Sequence, residues 1–500
     1  MPSVLALDQG TTGSTALVVH QDGSVLGRGY REFTQHFPRP GWVEHDPEEI
    51  LRVSREAMAE ALAAAGERPA GLGITNQRET VVLWDRRTLE PVAPAIVWQD
   101  RRTSERCREL RETGVEALLR RRTGLVADPY FSATKLEWLL RDPELRRRSG
   151  RGELAAGTVE SWLVAKLTGG RVHVSDHTNA SRTLLYDLAA RDWHPELLDI
   201  FAVPREILPS IVPSAGVVGE TDPSHLGVAL PIAGLAGDQQ SALFGQGCCT
   251  EGLAKNTYGT GAFLLVYRGM HVPEPPPGVL ATAACGPRGE PAYALEGSLF
   301  IAGAAVQWLR DGLGIVATAG ESEALARSVA DTGGVAFVPA FVGLGTPHWE
   351  ADARGTIVGL TRGTTRAHLA RAALEAIAFS SADLLHAMTG AGALQVAALR
   401  VDGGAAANDW MMQFQADVLG VPVERPDMIE TTALGAAALA GLALGVWREP
   451  GEFLAGRRFK RFTPAMEAGE RERRVAEWDR GVRAALAWAR NRCDYPSHSP

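Results

Sequence analysis

Lysine is nearly absent from this chain of 500 residues: only 4 of its 51 basic side chains are lysine, and the rest are arginine. That bias fits either genome composition or a hot habitat and selects neither. The basic residues are outnumbered by 59 acidic ones, for a formal net charge of −8. This balance argues against nucleic acid or an anionic membrane as the main partner. It does not argue against an anionic small molecule, because one local cluster of N–H groups can hold a phosphate on an acidic protein. Cysteine is scarce too. Cys107, Cys248, Cys249, Cys285 and Cys493 are scattered and lack any C-x-x-C spacing. Neither a disulfide framework nor a zinc site is expected, and a reducing cytosol fits better. The adjacent Cys248-Cys249 reads as core packing. No apolar run reaches the roughly 18 residues of a membrane-spanning helix. The first eight residues make one strand rather than a secretory signal.

What is present is an ordinary globular composition, 45% hydrophobic and 22% charged. The length exceeds one hydrophobic core, so two domains are expected, 1–248 and 249–500, with a boundary near 245–255. Ser3–Leu7, Thr15–His20 and Ser24–Arg28 read as a meander with a hairpin turn at Asp22-Gly23. Asp46-Pro47-Glu48-Glu49 reads as a helix start: Asp46 the N-cap, Pro47 the first helical residue, Glu49 closing a capping box. Further strands are expected at Ala70–Thr75, Val81–Trp84, Ala95–Trp98 and Leu230–Leu235. Helices are expected at Ser132–Leu140, Val159–Leu167, Leu369–Leu385 and Arg471–Arg490. In the second half, Ala254–Tyr258, a Gly259-Thr260-Gly261 turn and Ala262–Tyr267 repeat the logic of the opening: strand, hydroxyl-bearing glycine turn, strand. Alternating strands and helices make the class α/β.

Three turns carry the chemistry. The segment Asp8-Gln9-Gly10-Thr11-Thr12-Gly13-Ser14 puts a carboxylate, two glycines and three hydroxyls between two strands, where amides and hydroxyls can surround a phosphate. A carboxylate at the end of the first strand can hold a hydrated Mg²⁺ beside it. Taken alone, such a segment is more often an ordinary turn. Its counterpart at Gly259–Gly261 and a third turn, Asp402-Gly403-Gly404-Ala405, together suggest a nucleotide clamped between two domains, as in actin-like ATPases. Asp238, after a buried strand and at a helix start, is either a simple N-cap or a base. Asn76-Gln77-Arg78-Glu79 follows another buried strand and offers donors and acceptors to a polyhydroxy compound. Trp42, Trp98, Tyr130 and Phe131 are core or substrate wall. His173 and His177 lack a ligand partner at helical spacing and read as structural.

With these residues in view, the chain resembles the glycerol kinases of the FGGY carbohydrate kinase family. The stretches that carry the resemblance include ALDQGTT, PGWVEHDP, GITNQRET, TGLVADPYFSATK, PIAGLAGDQQSALFGQ, KNTYGTGAF, YALEGSLFIAGAAVQWLRD and LRVDGGAAAND. They follow family order from residue 4 to about 443.

The resemblance implies a two-domain, actin-like (ribonuclease H-like) fold with a nucleotide cleft, and transfer of the ATP γ-phosphoryl group to glycerol with Mg²⁺. It implies Asp8 as the metal-binding aspartate. Arg78, Glu79, Trp98, Tyr130, Asp238, Gln239 and Phe263 would form the glycerol pocket, with Asp238 the base. Thr11, Thr12, Gly13, Thr260, Gly303, Gln307, Gly404 and Asn408 would contact the nucleotide. It also implies a cytoplasmic homodimer or homotetramer. The chain departs from the family at Thr15, where many members carry an arginine near the phosphates. It departs again at Ala229, where a fructose 1,6-bisphosphate loop would end in arginine. His225 sits near a histidine that some members present to a phosphotransfer protein; the bland alternative is an exposed loop histidine. Two other readings stay open: a kinase for another short polyol or ketose (dihydroxyacetone, xylulose), and a non-catalytic actin-like nucleotide switch.

Overall fold

The computed structural model describes residues 2–350, 352–390, 395–428 and 430–491. Cys493 lies outside the described residues. Two twisted sheets dominate. The six-stranded sheet runs in the order Ala215–Glu220, Pro231–Gly237, Leu72–Asn76, Ser3–Gln9, Gly13–His20, Val25–Glu32. The seven-stranded sheet runs Leu280–Cys285, Pro291–Leu299, Ala262–Tyr267, Leu253–Tyr258, Ala398–Asp402, Val423–Pro426, Phe459–Phe462. The repeat seen in the sequence is a repeat of topology. Ser3–Gln9 pairs antiparallel with Gly13–His20 and parallel with Leu72–Asn76. Leu253–Tyr258 pairs antiparallel with Ala262–Tyr267 and parallel with Ala398–Asp402.

The central strands are apolar because both faces are covered, as parallel strands require. On one face of the first sheet lies the helix Pro47–Ala65. It packs through Ile50, Val53, Ala57 and Ala61 against Leu5, Leu7, Ala16 and Val18. Asp46 caps it by accepting from the Glu48 N–H at 2.9 Å. The expected capping box does not form. The Glu49 carboxylate instead accepts from the Thr34 N–H at 3.3 Å and from Arg52, because the chain from the third strand passes beside the helix start. On the other face lies the helix Thr431–Ala443, which comes from the second half of the chain. It seats so closely that a Cβ at Gly73 or Gly234 would collide with its backbone at Ala436, and one at Gly435 would collide with Ser241. Glycine and alanine at these crossings are what let the helix reach the sheet.

The strands and helices expected from periodicity are present, with ends shifted by a few residues: Ser3–Gln9, Gly13–His20, Leu72–Asn76, Ser132–Leu139, Val159–Leu167 and Arg366–Thr389 among them. The hairpin Leu280–Cys285/Pro291–Leu299 and the helix Thr431–Ala443 had no periodic signal that separated them from loop or core segments; their alanine-rich, apolar runs are buried on every side. His173 and His177 are structural: their ring nitrogens bond the Ala156 carbonyl at 3.0 Å and the Tyr186 hydroxyl at 2.6 Å. Cys248 is buried, as expected, and Cys249 half-buried.

Candidate active site

The carboxyl ends of three parallel strands lie in one row. Gln9 pairs with Asn76, and Asn76 pairs with Gly237. Asp8, Arg78, Glu79, Asp238 and Gln239 all lie at or just past this edge, which is where open α/β sheets collect ligands. From the first strand come Asp8 and the turn that follows. The Gly10 N–H bonds the Gly13 carbonyl at 2.9 Å, and the Gln77 side chain ties Gln9 and the Gly10 carbonyl, each at 3.2 Å. Thr11 is half-buried, Thr12 exposed and Gly13 buried. Thr15 pairs with Asp8 across the strand.

From the second strand come Arg78 and Glu79, both almost fully buried at 2% and 1% exposure. Glu79 has φ 60°, a left-handed conformation that a side chain rarely adopts, and one that clusters at functional sites. The Glu79 carbonyl accepts from Ser132 Oγ at 3.1 Å, which helps hold that conformation. From the third strand come Asp238 and Gln239, which open the helix Asp238–Gly245. Gly237 is the N-cap residue, not Asp238. The Asp238 carboxylate accepts from the Gln239 N–H at 2.7 Å and faces Arg78 Nε at 3.3 Å, with 27% of its side chain open.

The aromatic residues form one wall. Trp98 meets Tyr130 edge-on at 5.6 Å and Phe263 at 6.2 Å. Its Nε1 donates to Thr11 Oγ1 at 2.9 Å, so the wall is bonded directly to the phosphate-type turn. Arg78 donates to the Tyr130 hydroxyl at 3.3 Å and lies 5.9 Å above the Phe263 ring. All seven residues assigned to the polyol pocket are thus linked through Arg78, Trp98 or the Asp238–Gln239 pair.

On the second sheet, the turn Gly259–Gly261 is stitched to the start of the helix Gly303–Asp311. The Thr260 carbonyl accepts from the N–H groups of Ala302 and Ala304, and the Gly303 N–H reaches the Gly259 carbonyl at 3.0 Å. Gln307 lies exposed one turn along that helix. Gly403, with φ 83°, lies against the backbone of Tyr258 so tightly that no Cβ fits, which sets the Asp402–Ala405 turn beside Gly259–Gly261. Gly404 is exposed with open space around it. Asn408 caps the helix Asp409–Leu419 by accepting from the Met411 N–H at 2.9 Å.

Three charged residues of the site were not singled out from the sequence. Glu296, on the strand Pro291–Leu299, grips Arg78 with two hydrogen bonds of 2.7 and 2.8 Å. Arg182 donates through Nε to Glu79 at 2.6 Å and places Nη2 3.1 Å from Glu296. Lys255 lies fully buried beside Gln239 and Thr257. The available signal was simple: each is a lone charge inside an apolar or uncharged run. Burial would raise the Glu296 carboxyl, but Arg182 and Arg78 outweigh it and hold it at about 2. Burial raises Glu79 and Asp238 above the ordinary carboxylate range, with Arg78 opposing both. Burial, with Asp238 and Asp402 nearby, pushes Asp8 up to about 7.

His225 sits away from this cluster, in the short helix Pro223–Leu226. Its Nε2 bonds the Lys166 carbonyl at 2.9 Å and its Nδ1 is buried. It is half-buried, so a phosphate on either nitrogen would require the ring to leave its seat.

Comparison with known proteins gives consistent matches. Residues 3–245 match the FGGY family of carbohydrate kinases, N-terminal domain, and residues 254–444 its C-terminal domain. A glycerol kinase of Carboxydothermus hydrogenoformans is 54% identical over 491 residues, covering 97% of this chain and 98% of the relative. One from Leptothrix cholodnii is 56% identical over 497 residues, covering 97% and 100%. The crystal structure of Plasmodium falciparum glycerol kinase with ADP superposes with a TM-score of 0.91 at 35% identity, over 97% of this chain and 98% of that one.

Proposed function

The chain belongs to the FGGY family of carbohydrate kinases and has its two-domain α/β fold; on that premise we propose that it transfers the γ-phosphoryl group of ATP to glycerol, giving sn-glycerol 3-phosphate and ADP. The observation that carries this reading is the meeting, at one sheet edge, of a carboxylate (Asp238), an Arg–Glu pair (Arg78, Glu79) and an aromatic wall (Trp98, Tyr130, Phe263) that is bonded to the Thr11 turn. Relatives named as glycerol kinases, at 54–56% identity over nearly the whole chain, support it.

Asp238 is the proposed base. Its carboxyl titrates above the usual range because it is desolvated, which strengthens it as a proton acceptor, and Arg78 keeps it oriented. As the acceptor hydroxyl attacks the γ-phosphorus in line, its proton passes to Asp238 and the bond to the ADP oxygen breaks. Glu79 accepts from, and Arg78 and Gln239 donate to, neighbouring hydroxyls of the acceptor. An acceptor missing one of these hydroxyls leaves a buried charged group unpaired and is rejected strongly. Trp98 and Phe263 limit the length of the carbon chain. The turns at Thr11–Gly13 and Thr260 face the phosphates, and Gly303, Gln307, Gly404 and Asn408 the nucleoside.

The residues fit a divalent cation. Asp8 stands among carboxylates that raise its pKa, and Asp402 Oδ1 is buried without a partner. Asp8 would hold a hydrated Mg²⁺ at this place. Mg²⁺ there would neutralise charge on the transferring group. The same proposal includes the division into units 1–248 and 249–500, a cytoplasmic setting, and a homodimer or homotetramer. Among the described residues, no helix is long and apolar enough to cross a membrane.

The test is ADP release across a panel of polyols and ketoses. Glycerol should be the fastest acceptor. Equal rates for a five-carbon ketose would overturn the glycerol assignment, and ADP release independent of any acceptor would favour a nucleotide switch.

A further inference from the structure

Lys255 is one of four lysines in the chain and sits at the junction of the two sheets with no exposed surface. It is the third residue of the strand Leu253–Tyr258, which leads into the Gly259–Gly261 turn. Its ammonium makes two hydrogen bonds, both to neutral oxygens: Gln239 Oε1, and Thr257 Oγ1 at 2.8 Å. A desolvated ammonium is costly, and it is normally found against a carboxylate. Here Asp402 and Asp238 act on it through space, while Arg78 opposes them.

Two consequences follow from this placement. A lysine can only donate, so it fixes which end of the Gln239 amide faces it: Oε1 turns toward Lys255 and Nε2 is left as a donor. A donor in a fixed direction is what a hydroxyl oxygen of the acceptor needs. The same ammonium also holds the Thr257 hydroxyl, on the strand that carries the second phosphate-type turn, and its charge interacts through space with both Asp238 and Asp402.

We propose that Lys255 is a positioning residue for phosphoryl transfer, orienting Gln239 on the acceptor side and Thr257 on the phosphate side. This rests on the kinase reading above. Burial lowers the Lys255 ammonium to about 8, so the charge on which the arrangement depends is lost as pH rises through that value. The charged and titratable groups around it are Asp238 on the helix Asp238–Gly245, Asp402 on the strand Ala398–Asp402, Glu296 on Pro291–Leu299, Arg78, and Cys248.

The experiment compares wild type, Lys255→Met and Lys255→Arg in steady-state ADP release. Each is measured with the acceptor that wild type uses fastest, so failure of glycerol as that acceptor overturns the acceptor assignment without deciding Lys255. Lys255→Met should lower kcat by about 10²-fold, the cost of small misplacements in a reacting site. Its melting temperature should stay near that of wild type, because an apolar isostere removes a buried charge. Lys255→Arg should regain most of the rate, and the wild-type fall in kcat near pH 8 should disappear in it, since arginine does not titrate there. A Lys255→Met enzyme with near-normal kcat overturns the proposal. So does a Lys255→Arg enzyme that keeps the wild-type basic limb, and this second result decides the matter even if the methionine variant does not fold.

Discussion

At the scale of single residues, the site works by setting similar carboxylates in different surroundings. Glu296 is clasped by two guanidinium groups and stays ionised far into acid, whereas Asp238 has one facing arginine, is partly open to the cleft and titrates higher. Of the two, Asp238 is the better proton acceptor. Asp238→Asn keeps the shape and the hydrogen bond from the Gln239 N–H but has no basic oxygen. Turnover should fall by at least about 10²-fold, while nucleotide affinity, measured by calorimetry, should stay unchanged. Near-normal turnover would remove Asp238 as the base. Arg78, Glu79, Asp238 and Gln239 were legible in the sequence because each stands at the end of an apolar strand. Glu296, Arg182 and Lys255 were not singled out, because a buried charge shows its purpose only when its partner is seen beside it, and that partner is 218 positions away for Glu296 and 103 for Arg182.

At the scale of elements, the long helix Arg366–Thr389 and the C-terminal helix Ala468–Arg490 meet through stacked rings. Phe379 and Trp478 lie 5.6 Å apart and 13° from parallel. Beside them Asp383 accepts from Trp478 Nε1 at 2.7 Å, and burial raises its carboxyl to about 7. A folded-state pKa above the unfolded value means that the protonated form is the one the fold favours. The stability it contributes is fully present below the ordinary value of 3.8 and is lost as pH rises through about 7. Asp383→Asn imitates the protonated acid. Its melting temperature should match wild type near pH 4 and exceed it at about pH 8.5; equal melting at both would show that Asp383 is not held protonated. Periodicity revealed both helices, because each has a buried stripe. It did not reveal Thr431–Ala443, which is apolar on every side and is wedged between a sheet and another helix.

At the scale of the molecule, the two sheets are joined at their reactive edge by charge. Arg78 follows a strand of the first sheet and Glu296 lies in a strand of the second, and both side chains are buried. Glu296→Gln removes the anion that Arg78 bonds twice and that Arg182 faces, leaving Glu79 and Asp238 as their remaining carboxylates. The expected cost is about 3–5 kcal/mol of stability, the range for breaking a buried pair from one side, read by urea denaturation. The KM for the acceptor should rise as well, because Arg78 loses its fixed orientation. Unchanged stability and KM would mean that Arg78 is held without Glu296, by Asp238 and by its hydrogen bonds to Gln240 and Tyr130, each 3.3 Å long.

By itself the sequence determined the local grammar of this protein: apolar strands ending in polar turns, a duplicated strand–turn–strand unit, and the side chains that such turns expose. It could do so because backbone conformation and burial alternation are encoded by near neighbours. The tertiary structure decided which of those turns share one space. It also decided that Glu79 adopts a left-handed backbone, that Trp98 is bonded to the Thr11 turn, and that Lys255 and Glu296 of the second sheet hold Gln239 and Arg78, which lie just past strands of the first. These depend on packing between segments far apart in the chain, where one charge is stable only because the fold brings another to meet it.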